Sequence, residues 1–304
     1  MINYLEHKDI NKDLWDSCIN KSVNGSVYAY SWYLDVVSEN WDALVYDNYK
    51  AVMPLTHKKK FGINYLCQPY FTQQLGVFSI EILSEEMVEN FINNIPKHFK
   101  FTEINLNSYN KISTKNNKKI TQNRNIQLDL ISSYSNIYSN FSKNTRRNIK
   151  KAVAKNIFIN EINNAWDIIN LFKKNKGKQI EKFKEEQYFL LKRLLAELIQ
   201  RHKVYIISAF TEKNQLCAGA FFVESNHKAI FLFSATNEEA KENGAMSLII
   251  DYFIQKRSQD DITLDFEGSN DDNLARFYLS FGSVETNYSS LKINNLPWFI
   301  KWLK

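Results

Sequence analysis

The spacing of apolar residues along the chain predicts one order of elements, which occurs twice. In the first half, residues 10–22 and 31–39 have helical spacing, and short alternating runs typical of strands follow them. A third helix is predicted at 84–99, and two more strands complete this half. The order is a helix pair, a strand meander, a helix and then strands.

The second half repeats this order without repeating the residues. Helical spacing predicts one long helix over 134–155 and two more at 165–174 and 185–200. A strand meander follows, and an amphipathic helix is predicted at 243–256. The pattern therefore predicts an α+β protein of two domains, 1–133 and 134–304, each a mixed, mostly antiparallel sheet flanked by helices.

The most informative stretch is residues 262–284. An apolar run at 262–266 predicts a strand, and the dipeptide Glu267-Gly268 ends it, because glycine permits a sharp exit from a sheet. Polar residues from Ser269 onwards predict a helix start, and Gly282 predicts its end. Three apolar residues lie on one face of this helix: Leu274, Phe277 and Phe281. A last strand is predicted at 283–293.

Three segments resemble known acyltransferases. The sequence FYLSFG (277–282) resembles the helix-and-glycine signature near the C-terminus of GNAT acyltransferases. The preceding LDFEG and the basic helix FSKNTRRNIKKAVAKN (141–156) resemble the Fem family of peptidoglycan aminoacyltransferases. The resemblance implies two GNAT-like (acyl-CoA N-acyltransferase) domains in tandem. It assigns the acceptor side to 1–133 and the donor side to 134–304.

The resemblance also implies a donor site at the turn that precedes the helix at 243. GNAT proteins bind the pyrophosphate of coenzyme A there with backbone amides at a helix N-terminus. The corresponding residues here are Lys241, Asn243, Gly244 and Ala245, with acetyl-CoA or another acyl-CoA as the co-substrate. This turn departs from the family pattern, because Lys241 replaces arginine or glutamine and Met246 replaces a small residue. The alternative is that Gly244 only starts a helix.

The resemblance places Tyr278 where GNAT enzymes position a general acid, which protonates the departing thiolate. The alternative is a half-buried aromatic residue beside Phe277. Asp265 and Glu267 are candidate general bases, because strand alternation places them on one face and an attacking amine must lose a proton. Of the two, Glu267 is expected to be the exposed one. Either acid could instead cap the next helix or pair with Arg276.

Two further groups are candidates for binding substrate. The basic run that contains Arg146, Arg147 and Lys150 could bind phosphates of a nucleotide-linked substrate, of coenzyme A or of tRNA, or it could be a solvated helix face. In the first domain, Trp32, Tyr70 and Gln73 resemble the acceptor side of tandem GNAT proteins. Core packing is the alternative for these three.

Composition limits the remaining possibilities. The 304 residues carry a net charge of +6, which allows an anionic partner, and the three cysteines are widely spaced, which favours a reducing, cytoplasmic compartment. No apolar run approaches the roughly 20 residues that span a bilayer. The five histidines are scattered, so no metal site is expected, and no motif indicates a P-loop, a dinucleotide fold or a zinc protease.

The sequence therefore predicts an N-acyltransferase, either an acetyltransferase or an aminoacyltransferase. It would move an acyl group from a thioester to the amine of a small-molecule or nucleotide-linked acceptor, with no DNA partner. Two alternatives stay open. One is a Fem-like transferase that takes its aminoacyl group from charged tRNA and acts on a cell-wall precursor. The other is a binding module that kept the GNAT fold and lost catalysis.

Overall fold

The structure is a computed structural model, and it describes residues 1–113, 118–161, 164–180, 183–267 and 270–298. The chain forms two compact units. Unit 1 comprises residues 1–124 together with 286–304, and unit 2 comprises residues 125–285. The chain leaves unit 1 within one strand and returns to it within the last strand.

Unit 1 contains two sheets and three helices in its described part. The strand orders are β1-β2-β3-β6 and β4-β5-β7-β14-β8. The element bounds are β1 (Ile2–Leu5), α1 (Lys12–Lys21), α2 (Ser31–Val37), β2 (Asp42–Tyr46), β3 (Ala51–Leu55), β4 (His57–Lys60), β5 (Ile63–Cys67), β6 (Phe78–Ser79), α3 (Glu85–Asn93), β7 (Phe99–Asn105), β8 (Lys118–Asp129) and β14 (Val284–Asn294). A buried cluster that includes Met53, Phe91 and Leu106 forms the core of this unit.

Unit 2 is built on one sheet in the order β8-β13-β12-β11-β10-β9, which is antiparallel except between β12 and β13. Its other elements are α4 (Tyr134–Ser139), α5 (Lys143–Ala154), β9 (Phe158–Asn160), α6 (Ala165–Lys174), α7 (Glu185–Gln200), β10 (Val204–Phe210), β11 (Leu216–Ser225), β12 (Lys228–Thr236), α8 (Glu238–Asn243), α9 (Ala245–Arg257), β13 (Thr263–Asp265) and α10 (Asp272–Leu279). Its core includes Phe222 and Phe253, whose rings stack with centroids 4.0 Å apart.

The predicted α+β class and the mostly antiparallel sheets are confirmed. The bounds of the compact units differ from the predicted division at residue 133. The last strand pairs antiparallel with β7, Ser290 opposite Asn105 and Asn294 opposite Phe101, and it therefore belongs to unit 1 from residue 286 onwards.

One predicted helix is divided in two, and another begins two residues later than predicted. The helix expected over 134–155 breaks after Ser139, because the amide of Ser142 donates to the carbonyl of Ser280 (2.8 Å) and the hydroxyl of Ser142 caps a new helix at Thr145. The helix expected over 243–256 begins only after Gly244, which has a left-handed backbone (φ 82°). Asn243 therefore ends α8, and α9 begins at Ala245.

Candidate functional site in unit 2

Two parallel strands of unit 2 separate and open a cavity between them. β12 and β13 pair only from Lys228 opposite Thr263 to Ile230 opposite Asp265. β13 ends there, whereas β12 continues for six more residues, to Thr236. A cavity of about 410 Å³ lies beside this separated part of β12, and Phe231, Ser234 and Thr236 line it. The separated part is about 20 Å long at roughly 3.3 Å per residue.

The N-terminus of α9 forms another part of the cavity wall. Gly244, Met246 and Ser247 all line the cavity. The first amides of a helix have no partner within the helix, and the helix dipole makes that end positive. The exposed side chain of Lys176 also lines the cavity, and it forms no ion pair with any described residue. These groups can hold an anion such as a phosphate.

Of the four predicted cofactor-binding residues, Gly244 lies at the cavity. The side chain of Asn243 is buried and faces inward, because its amide nitrogen donates to Cys217 Sγ (3.9 Å) and its oxygen accepts from the amide of Ala245 (2.9 Å). Ala245 itself is fully buried. Lys241 lies in α8, and its side chain is outside the described part of the chain. The sequence did not predict that Met246 and Ser247 line the cavity.

Gly244 is required by packing as well as by backbone conformation. A Cβ atom at this position would lie 2.3 Å from the carbonyl oxygen of Asn148 in α5, so only glycine permits this approach. The same contact holds α5 against the start of α9. The alternative role that the sequence analysis left open for Gly244, a structural one, therefore has a concrete basis.

We expect Gly244→Ala to lower the free energy of unfolding by about 3 kcal/mol or more, because the methyl group adds a steric clash to the cost of a left-handed alanine. Gly62→Ala is the matched control. Gly62 also has a positive φ (77°), but nothing lies within 4 Å of a Cβ atom there, so we expect a loss of only about 1 kcal/mol. Urea unfolding of both variants measures the difference. Equal losses of stability in the two variants would mean that a methyl group at position 244 does not clash with Asn148.

Tyr278 lies on α10 with its ring between two aromatic residues. The ring stacks on Phe266 (centroids 4.8 Å apart, 14° between planes) and meets Phe231 edge-on at 6.0 Å. The side chain lines the cavity and is 9% exposed, and its hydroxyl has no hydrogen-bond partner among the described residues. Burial, together with the nearby carboxyl of Glu267, raises the pKa of Tyr278 above its usual value, so the phenol stays protonated.

Glu267 follows the end of β13 with a left-handed backbone (φ 62°) and a partly buried side chain. Burial raises the pKa of this carboxyl to about 8. A carboxyl with this pKa can exchange protons near neutral pH, which is the property a general acid or base needs. The neighbouring Gly268 and Ser269 lie outside the described residues.

Asp265 is placed differently from Glu267, because β13 ends between them and strand alternation no longer applies. The Asp265 carboxylate is buried and accepts three hydrogen bonds: from Asn125 (3.1 Å), from Gln127 (2.8 Å) and from the amide of Glu267 (2.8 Å). Asp265 therefore holds the turn that positions Glu267. The Asp265 carboxylate is thus engaged by three donors within unit 2.

The three predicted basic residues lie on α5 away from the part of that helix that reaches the cavity. α5 buries Thr145 and Ile149, and Asn148 lines the cavity. Residues four apart share a helix face, so Arg146 and Lys150 lie on the other side of the buried stripe from Asn148. Arg147 is exposed and donates to Asn144 Oδ1 (2.6 Å). Among the described residues of unit 2, no contact joins these three residues to the cavity.

The predicted acceptor residues of unit 1 lie on α2 and on the loop that follows β5. Trp32 stacks on Tyr30 (centroids 6.0 Å apart), and the hydroxyl of Tyr33 donates to the carbonyl of Phe71 beside Tyr70, which ties the helix to the loop. The side-chain oxygen of Gln73 accepts from Gln74 Nε2 (2.7 Å). Tyr70 is 40% exposed. The helix and the loop thus bring these residues to one region of unit 1.

Three of the histidines that are scattered in the sequence line one cavity of about 550 Å³ in unit 1: His7, His57 and His98. Asp42 anchors this group, because it accepts from Tyr4 Oη (2.7 Å) and lies 3.2 Å from His57 Nε2. Burial opposes the ionisation of Asp42, but the hydrogen bonds from His57 and Tyr4 outweigh it and lower the pKa. The described residues contain no cluster suited to a metal ion.

Comparison with known proteins places the fold. No family model matches the sequence, and no curated protein matches it. Among solved structures, the match to FemX covers 94% of this chain and 96% of the FemX chain, with a TM-score of 0.67 at 10% sequence identity. A conserved protein of unknown function from Bacteroides thetaiotaomicron covers 96% of this chain and 99% of its own (TM-score 0.59, 12% identity). The C-terminal domain of a putative lysylphosphatidylglycerol synthetase from Agrobacterium fabrum covers 96% and 93% (TM-score 0.53, 7% identity).

At these identities the similarity establishes the fold. The chain has the Fem-like, GNAT-related architecture that the sequence analysis predicted, over nearly its whole length. None of the helices in the described ranges is long and apolar enough to cross a membrane.

Proposed function

We propose that the chain transfers an acyl group from a thioester, with acyl-CoA as the donor, to an amine acceptor at the cavity of unit 2. The observation that carries this proposal is the arrangement of one cavity wall. The separated edge of β12, the N-terminus of α9 and the hydroxyl of Tyr278 all border the same space.

The chemistry of this wall fits an acyl-CoA. The backbone of β12 beyond Ile230 can bond the amide groups of an extended chain, as a sheet edge bonds an added strand. The first amides of α9 and the ammonium of Lys176 can bind phosphates. Apolar residues that include Phe231 and Leu274 border the same space and can contact a short acyl group.

The side chains support a direct transfer. The neutral amine forms a bond to the acyl carbon, and Glu267 takes the proton that the nitrogen loses. The carbon–sulfur bond breaks, and Tyr278 gives its proton to the departing sulfur. Glu267 then returns a proton to Tyr278, so the products are an amide and a free thiol. The negative charge of ionised Glu267 raises the pKa of Tyr278, which keeps the acid protonated while the base is ready.

Two other functions remain as proposals from specific observations. The exposed basic side chains of α5, including Arg147 and Lys150, suit an RNA partner, which favours a Fem-like transfer from aminoacyl-tRNA to a cell-wall precursor. The replacement of a small residue by Met246 at the start of α9 suits a binding module that no longer admits the donor. Both functions predict that acyl-CoA does not bind at the cavity.

The experiment that tests the donor site is a thermal-shift titration with acetyl-CoA on three proteins. A ligand at 100 times its dissociation constant adds roughly 2.7 kcal/mol to the free energy of unfolding, so we expect a saturable rise of several degrees for the unchanged chain. Met246→Glu places a negative charge at the start of α9 and should abolish the rise.

Val153→Glu is the matched control, because Val153 is 60% exposed on α5 and the change in charge is the same. We expect it to keep the rise. If the unchanged chain shows no rise, the acyl-CoA donor is excluded, and transfer from aminoacyl-tRNA and a binding module without catalysis are the functions that remain. A rise that persists in Met246→Glu would place the donor elsewhere on the chain.

A further inference from the structure

The β4–β5 hairpin of unit 1 has an exposed aromatic residue in its turn and three exposed lysines in the strand that precedes the turn. Lys60 pairs with Ile63, so Phe61 and Gly62 form a two-residue turn, and both have positive φ (50° and 77°). Phe61 is 92% exposed. Lys58 and Lys59 precede Lys60 in β4, and all three lysines are exposed.

The pairing of the sheet brings a second exposed aromatic residue to the same end of unit 1. β5 is parallel to β7, with Asn64 opposite Phe99, so the hairpin turn lies at the end where β7 begins. The chain leaves β14 at that end too, because the amide of Asn295 donates to the carbonyl of Lys100 (2.9 Å). Trp298 follows three residues later and is 86% exposed.

The charge at this end is positive and uncompensated. Five lysines on the two segments that meet at this end are exposed: Lys58, Lys59 and Lys60 in β4, Lys97 just before β7, and Lys100 in β7. Within the described part of the chain, none of the five forms an ion pair with an acidic side chain. Lys60 contacts the ring of Phe61, with its ammonium 5.4 Å from the ring centroid.

We propose that these five lysines, Phe61 and Trp298, which we call the hairpin surface, dock on the face of a bilayer that contains anionic lipid. Aromatic rings at the tip can enter the headgroup region, and lysines behind the tip attract anionic headgroups. An isolated aromatic tip at a turn suits a bilayer better than RNA, because RNA-binding surfaces present several aromatic platforms along a groove. This inference does not depend on the acyltransferase proposal.

The test is co-sedimentation of the full chain with vesicles of phosphatidylcholine, with and without roughly 30% phosphatidylglycerol as the anionic lipid. We expect binding to the anionic vesicles alone, and release by salt at about 0.5 M, where screening is strong. Lys58→Ser, Lys59→Ser and Lys60→Ser combined should weaken partitioning about 100-fold. Phe61→Ser should weaken it about 10-fold.

Two matched controls test whether vesicle binding depends on the hairpin surface or on exposed lysines and aromatic rings anywhere on the chain. Lys143→Ser, Lys150→Ser and Lys151→Ser combined remove the same charge from exposed positions of α5, and Phe189→Ser removes a 63% exposed aromatic ring from α7. Both should bind vesicles as the unchanged chain does. Equal weakening by the controls, equal binding to neutral vesicles, or no binding at all would overturn the proposal. Displacement from anionic vesicles by single-stranded RNA that itself binds through Phe61 would assign the surface to RNA and overturn it too.

Discussion

Replacement of Tyr278 by phenylalanine is expected to lower kcat about 100-fold or more and to change the Kd for acetyl-CoA by less than about twofold. The aromatic ring would keep its stacking on Phe266, and the hydroxyl has no partner among the described residues, so the fold should be unaffected. Only the proton for the departing sulfur is lost. Steady-state kinetics and a binding titration on the same variant measure the two effects separately.

Tyr138→Phe is the control for this change. Tyr138 also packs against the core of unit 2, and its hydroxyl has no hydrogen bond within the described ranges. We expect this variant to keep full activity. If Tyr278→Phe were as active as the unchanged chain, Tyr278 would have no part in the chemistry, and water would have to protonate the sulfur.

Glu267→Gln is expected to lower kcat/KM about 100-fold or more at pH 8, because an amide cannot accept the proton of the amine. The effect depends on pH in a defined direction. Burial raises the pKa of Glu267 to about 8, and a general base works only when it is deprotonated. In the unchanged chain, kcat/KM should therefore fall about tenfold for each pH unit below about 8 and level off above it.

The pH profile of the variant distinguishes this role from a structural one. In Glu267→Gln, the fall of kcat/KM below about pH 8 should be absent, because the ionising carboxyl is gone. A fall of kcat/KM caused by ionisation of the acceptor amine would remain in the variant. Glu242→Gln makes the same change at an exposed position of α8 and should leave the profile unaltered. A fall below about pH 8 that persists in Glu267→Gln would assign the ionisation to another group.

Elements with strong local signals were predictable from the sequence. The helix at 165–174 begins after an asparagine whose side chain accepts from Trp166, and its apolar spacing is regular, so predicted and observed bounds agree. The predicted and observed bounds of the helix at 185–200 agree equally well. The break after Ser139 depends on the carbonyl of Ser280, which is distant in sequence, and periodicity carries no information about such a contact.

The candidate site could likewise be predicted from the sequence only in part. The family resemblance selected Gly244 and Tyr278, and strand alternation selected Glu267. The structure places Gly244 and Tyr278 at one cavity. The separation of β12 from β13, which makes the cavity, depends on where two strands end and has no signature in either strand. The inward orientation of Asn243 depends on its contact with Cys217, 26 residues away in sequence. The cavity of His7, His57 and His98 was missed for the same reason, because tertiary structure alone brings them together.

The most direct test of acyl transfer is to incubate the chain with acetyl-CoA that carries an isotopic label in the acetyl group and with a panel of primary amines. Mass spectrometry then shows whether the label forms an amide with any of them. The account predicts labelled amide and an equal amount of free thiol with the unchanged chain, and almost none with Tyr278→Phe. If acetyl-CoA binds at the cavity but no amine in a broad panel gains the label, the chain binds the donor without transferring its acyl group, and the proposed transfer is wrong.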